Sequence, residues 1–161
     1  MENMLFETDN FKVVAHPEPL VDRDEGGHIK IVTTKGVKDR LDLSPQIALE
    51  LAWLTSLVGE AFKNTMTKQG IKIIKLNYQD MGNWAFRPNA KSPEHLHIHI
   101  FGRVFDAKHQ PLPASVYLPF RETGFYDGFK PLTLQDEEML SNEIKSLSKT
   151  EKYKKSNWCV K

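Results

Sequence analysis

Three histidines stand at alternate positions in "PEHLHIHIFGR", residues 93–103, and they are half of the six in a chain of 161 residues. Successive side chains of a β-strand point to opposite faces. An extended segment 95–103 therefore puts His95, His97 and His99 on one face and Leu96, Ile98 and Ile100 on the other. The imidazoles then recur at intervals of roughly 6–7 Å, twice the strand rise. Three chemistries compete for this pattern. Core histidines satisfied by backbone groups are the plainest, but three like rings side by side are costly to bury and cannot all become charged together. A metal site is the second, because neutral imidazole is a common zinc ligand, with Glu94 or His28 as further donors. The third is nucleophilic catalysis at phosphorus. There a neutral imidazole nitrogen forms a covalent phosphoramidate while its neighbours donate hydrogen bonds to the phosphate oxygens and leaving group. Crowding lowers the pKa of such rings and keeps a nucleophile unprotonated near neutrality.

The elements that must position this strand are legible around it. "FKVVAH" (11–16) is β-branched and aromatic and is closed by Pro17 and Pro19, which predicts a short strand. "HIKIVTT" (28–34) alternates and predicts a second, opened by His28. A long helix follows. Ser44 is suited to cap its free N–H groups, Pro45 to its first turn, and Gly70 to its end. Ile47, Leu51, Leu54, Val58 and Phe62 make its apolar stripe. A third strand is predicted at 71–78, a long loop at 79–94, and the histidine strand at 95–103. A second helix starts at Thr133, with Asp136 near its N-terminus and Leu140, Ile144 and Leu147 facing inward. Two principal helices with about five strands, mainly antiparallel, indicate an α+β fold.

"His95-Leu-His97-Ile-His99-Ile-Phe" resembles the signature of the histidine-triad (HIT) family, His-φ-His-φ-His-φ-φ with φ apolar, at all seven positions. His28 at the opening of the strand before the long helix, Asn77 near the end of the strand before the triad, and Ser92 three residues ahead of His95 extend the likeness over about residues 11–103. The resemblance implies one HIT-like domain over residues 1–161, with 104–161 as a C-terminal loop and helix extension. It implies a nucleotide hydrolase or nucleotidyl transferase acting at the α-phosphate of a phosphoramidate, anhydride or dinucleoside polyphosphate. By analogy His97 is the nucleophile, His99 contacts the phosphate and bridging oxygen, and His95 and His28 orient the centre. Asn77 and Ser92 then bind phosphate or leaving group, and Asp22 or Asp24 grips the ribose. No cofactor is required, although Mg²⁺ can accompany the substrate, and a homodimer is expected. A non-catalytic nucleotide-binding module and a metal site on the three histidines are the alternatives. The chain departs from the family's habits in its long 79–94 loop, in Lys91 where a glutamine is frequent, and in the long segment 104–131.

Other residues carry weaker signals. Arg103 follows the triad and is read either as a bidentate phosphate contact or as an exposed strand-end arginine. Trp84 in "GNW" offers an aromatic face for a base or packs its own loop. His109 is expected in solvent, and His16 is not marked for chemistry by its position. Hydrophobic residues at 40% and charged residues at 27% suit an ordinary globular core. A net charge of +1 gives no surplus for a nucleic-acid polymer. No run approaches the roughly 18 apolar residues of a membrane span, and the acidic "MENMLFETDN" does not read as a leader. A lone cysteine, Cys159, excludes an internal disulfide framework, and a cytoplasmic location is expected.

Overall fold

The computed structural model describes residues 3–90 and 93–160. Five strands form one antiparallel sheet: β1 (Asn3–Glu7), β2 (Phe11–Ala15), β3 (His28–Thr33), β4 (Lys75–Asp80) and β5 (His97–Arg103), in the order β1-β2-β3-β5-β4. The two long helices are α1 (Pro45–Lys68) and α2 (Leu134–Leu147). The α+β expectation holds, with two principal helices and one antiparallel sheet. No described helix is long and apolar enough to cross a membrane.

Local chemistry explains the helix ends. Ser44 Oγ accepts from the Ile47 N–H with Pro45 in the first turn, and Gly70 leaves α1 at a left-handed φ of +82°. Thr133 and Asp136 cap each other at the start of α2. Asp136 is fully buried and also accepts from Arg23 Nε at 2.6 Å and Nη2 at 2.9 Å, which ties the turn before β3 to α2. Leu51, Leu54, Val58 and Phe62 of α1 and Leu140 and Ile144 of α2 pack on Ile29, Ile31, Ile98 and Ile100 of the sheet and on Leu96 just before β5. This core fills one face. A second cluster lies on the opposite face, where Leu20, Val21, Val116 and Tyr126 gather around Phe101.

Three expectations shift. β1 escapes the sequence reading because its five residues are short and acid-flanked; it exists by pairing with β2 and burying Leu5. β4 begins at Lys75 rather than at residue 71, since Ile71 still bonds back to the Met66 carbonyl at the end of α1, and it runs on to Asp80. Asn77 therefore lies inside the strand. β5 begins at His97, so His95 precedes the regular strand, although the Leu96 N–H still reaches the Val37 carbonyl at 2.7 Å.

Candidate active site

Register places the site. Facing residues pair His28 with Phe101, Lys30 with His99, and Val32 with His97 across β3 and β5, and Asn77 with Phe101 and Gln79 with His99 across β4 and β5. Directly opposed residues share a face. His28, Lys30, His97, His99, Asn77 and Gln79 thus stand together on the face turned away from the helices. Gly26 and Gly102 permit the approach that sets His28 there. A Cβ on Gly26, whose φ is +121°, would lie 2.4 Å from the Gly102 carbonyl carbon.

Hydrogen bonds then fix where each imidazole carries its proton. A backbone N–H can only donate, so His28 Nδ1, which meets the Leu20 N–H at 3.2 Å, is an acceptor. The proton of neutral His28 sits on Nε2, which donates to His99 Nδ1 at 2.8 Å. His99 therefore carries its own proton on Nε2. A carbonyl can only accept, so His97 Nδ1 donates to the His95 carbonyl at 2.9 Å and its lone pair is on Nε2. His95 Nδ1 donates likewise to the Pro93 carbonyl at 3.2 Å. Ring centroids of His95 and His97, and of His97 and His99, are 4.7 Å apart in each case. The face thus presents a lone pair on His97 beside an N–H on His99.

Burial favours the neutral form of His28, His97 and His99. His28 lies well below the usual histidine pKa because it is buried, with His99, His16, Lys30 and Arg121 adding unfavourable charge. Burial, then the charges of His97 and Lys30, bring His99 down to about 2. His97 is lowered by burial and by its neighbours His95 and Lys30, against the raising effect of its bond to the His95 carbonyl. The proton pattern also bears on a metal. His99 offers an N–H where a third ligand would need a lone pair, and no group of three His, Cys, Asp or Glu among the described residues is placed to hold a metal ion.

Other candidates have different posts. Arg103 is only 1% exposed, which corrects the reading of an exposed strand end. Its Nη1 donates to Asn77 Oδ1 at 2.9 Å and its Nη2 to the carbonyls of Gln110, Pro111 and Ala114, so the guanidinium grips the chain after β5 and orients the Asn77 amide. The oxygens of Asp22 accept from the Asp24 and Lys130 backbone N–H groups, and those of Asp24 pair with Arg23 and Lys130. Both acids anchor the turn before β3 to Lys130. Ser92 and Lys91 fall outside the described residues. Trp84 packs within loops, its ring 6.2 Å from Phe120. His109 is exposed yet bonded to Glu25 at 2.7 Å. His16 stacks on His28 with centroids 5.7 Å apart, a neighbour its position after a strand did not announce.

Lys30 and Gln79 are the residues that sequence reasoning passed over. The signal was present: Lys30 follows His28 by two in an alternating strand, and Gln79 follows Asn77 by two. Lys30 is 9% exposed. Gln79 Oε1 is enclosed and has no hydrogen-bond partner in the described structure.

A family model described as "HIT domain" matches residues 1–106. Among solved structures, a histidine triad (HIT) protein from Sinorhizobium meliloti superposes with a TM-score of 0.61 at 17% identity, covering 90% of this chain and 88% of that one. A hypothetical histidine triad nucleotide-binding protein from Sulfolobus tokodaii gives 0.57 at 17% identity, covering 92% and 87%. A zinc-bound histidine triad family protein from Mycobacterium smegmatis gives 0.54 at 18% identity, covering 90% and 85%. At these identities the likeness is one of fold. No curated protein matches the chain.

Proposed function

From the premise that the chain belongs to the HIT-domain family, we propose that it is a nucleotide hydrolase or nucleotidyl transferase working at the α-phosphate through a nucleotidyl-His97 intermediate. The observation that carries this reading is the pair of opposite tautomers: a lone pair on His97 Nε2 and a proton on His99 Nε2, each set by a bond at the far side of its ring. A core histidine needs neither. The His97 lone pair attacks phosphorus, the Nε2–P bond forms, and the bond to the leaving group breaks with its electron pair departing on that group. His99 donates a hydrogen bond to the oxygen on which charge develops. Water or a second acceptor then attacks phosphorus, the P–Nε2 bond breaks, and its pair returns to the His97 ring. The acceptor's proton passes to solvent.

Supporting roles follow from the bonds already described. His28 holds the His99 tautomer, and the His95 carbonyl holds that of His97. Arg103 occupies the Asn77 oxygen, which leaves the Asn77 amide protons for phosphate. Ser92 keeps the phosphate or leaving-group role implied by the family pattern, and the His95 ring keeps its orienting one. No metal takes part in the chemical step, and Mg²⁺ enters only with a polyphosphate chain. A nucleotide is the ligand, and the protein works as a cytoplasmic homodimer.

The test is AMP release from an adenosine phosphoramidate and from diadenosine triphosphate, with EDTA and with added metal, beside His97→Ala. Metal-independent turnover that falls by about 10⁴-fold or more in the variant is expected, as for loss of a nucleophile that acts as one unit with its partners. Nucleotide binding with no release would replace the enzyme with a binding module. Release only with added zinc would return the histidines to metal ligation.

A further inference from the structure

Segment 104–131 brings a cation, Arg121, to the flank of the histidine face, and two separate contact paths place it there. Along the first, Arg121 Nη2 donates to the Glu18 carbonyl at 2.6 Å. Glu18 lies two residues before Leu20, whose N–H meets His28 Nδ1 at 3.2 Å. The Glu18 N–H itself donates to Nδ1 of His16, the ring stacked on His28. Along the second path, the guanidinium carbon sits 5.3 Å from the centre of the Tyr126 ring. Tyr126 belongs to the cluster around Phe101, whose ring is 4.7 Å from that of His28 and 5.5 Å from that of His99. Both paths end at the His28–His99 pair, and the charge of Arg121 is among those felt at His28. Resting on the nucleotidyl-transfer reading, we propose that Arg121 is a substrate-binding residue whose guanidinium takes a phosphate oxygen of the bound nucleotide.

The bonding of the guanidinium supports this role. Its one hydrogen bond among the described residues goes to a neutral carbonyl, so Nε and Nη1 keep their protons for a ligand. Glu18 is its ion partner, but that carboxylate stands 3.9 Å from Nη1, outside hydrogen-bond reach, and is 72% exposed, so water screens the pair. The adjacent acid, Glu122, is turned to Arg87 at 2.8 Å. Tyr126 supplies a ring face and no countercharge. An arginine serving only as a staple gains most from a carboxylate at bonding distance, as Arg23 does from Asp136. The turn that carries Arg121 is set by its own bonds. Tyr126 Oη donates to the Pro119 carbonyl at 2.9 Å, Thr123 Oγ1 donates to the Phe120 carbonyl at 2.7 Å, and Gly124 turns the chain at a φ of +74°. The guanidinium is therefore in place before a nucleotide arrives. The His99 N–H and the Asn77 amide give a phosphate oxygen hydrogen bonds but no countercharge. A guanidinium gives both, and its planar fork suits phosphate. The family model ends at residue 106, so this contact comes from the part of the chain beyond it.

The experiment measures Kd by calorimetry for AMP, ADP and adenosine in wild type, Arg121→Gln and Arg121→Lys. Gln can still donate to the Glu18 carbonyl but carries no charge, whereas Lys keeps the charge. Arg121→Gln should bind AMP, ADP or both about 15- to 150-fold more weakly, in line with loss of a hydrogen bond to a charged group. Its adenosine affinity should stay within about twofold of wild type, and Arg121→Lys should hold AMP and ADP within about fivefold. A loss on AMP assigns the contact to the α-phosphate, and a loss on ADP alone assigns it to the phosphate beyond; both support the proposal. Equal weakening of all three ligands would reduce Arg121 to a staple of its segment. Unchanged binding of AMP and ADP would put it outside the site; either result overturns the proposal. If thermal melting shows Arg121→Gln to be unfolded, Arg121→Met, which keeps an apolar stem on the Tyr126 ring, replaces it. Nucleotide binding indifferent to Arg121 defeats this inference alone, whereas a wild type that binds none of the three ligands defeats the underlying reading as well.

Discussion

His28 and His99 show how a site is held at the cost of acid tolerance. Each ring uses one nitrogen to fix its neighbour, and both are buried at 1% and 7% exposure, so neither accepts a second proton readily. Their folded pKa values lie far below the ordinary value of 6.5. The sign of the effect on stability follows. Between the folded and unfolded values the unfolded chain binds more protons, so stability rises with pH. The contribution is whole above about 6.5 and is lost as pH falls below it, by at most about 1.4 kcal/mol per pH unit for each ring. Urea unfolding should give one midpoint from pH 7 to 8 and a falling midpoint from 6.5 to 5, with the fall reduced in His28→Phe. Carboxylates such as Asp136, whose pKa is lowered by Arg23 and Thr133 against an opposing burial effect, add their losses only at lower pH. A midpoint that does not move between pH 7 and 5 would contradict the neutral assignment of both rings.

The element that most changes the surroundings of the triad is the segment after β5, and two buried ionic side chains secure it. Glu25 accepts from the N–H groups of Lys108, His109 and Gln110 and from the His109 ring, while Arg103 donates to the carbonyls of Gln110, Pro111 and Ala114. One acid gathers the donors of the turn and one base gathers its acceptors. Val116 and Tyr126 then pack on Phe101, and Arg87 pairs with Glu122 at 2.8 Å to join the connection between β4 and β5 to this segment. Arg103→Met leaves several enclosed acceptors unpaired and should destabilise the protein by about 2–4 kcal/mol, with limited proteolysis cutting first within 104–131. Unfolding unchanged within about 0.5 kcal/mol would show that solvent replaces the guanidinium without loss. This arrangement marks the limit of what the sequence discloses. Period-2 alternation revealed β3 and the shared face of His95, His97 and His99, and period-3.6 apolar spacing with a Ser-Pro start revealed α1. Neither period runs through 104–131, where order comes from Glu25 and Arg103, charged residues that in sequence look solvated. Lys30 was hidden for a related reason: a lysine in an alternating strand reads as the solvent side until its partner strand is known to carry His99.

At the scale of the whole molecule, the two edges of the sheet are treated differently. β1 is covered, since α2 lies against it, Ser141 Oγ donates to the Leu5 carbonyl at 2.8 Å, and Asn3 Nδ2 donates to Glu137 at 2.9 Å. β4 pairs with β5 alone and forms the opposite edge. Ile74, just before it, is 45% exposed and Tyr78 within it 46%. Open strand edges with apolar flanks invite pairing with another chain. A two-fold axis is the economical solution, because β4 can pair antiparallel with its own copy and continue the sheet from one chain into the next. α1 stands close enough to join that interface: a Cβ on Gly59 would fall 2.0 Å from the Tyr78 hydroxyl, so the helix crosses directly beneath the edge strand. β5, which bears His97 and His99, is the next strand in, so dimer formation would brace the triad strand from its less supported side. Light scattering at tens of micromolar should therefore give twice the chain mass of 18.5 kDa. Ile74→Glu, which puts a charge at the edge, should return it to the chain mass without loss of secondary structure. A wild type that scatters at the single-chain mass would mean that β4 is a true terminus of the sheet, and that the active face is complete within one chain.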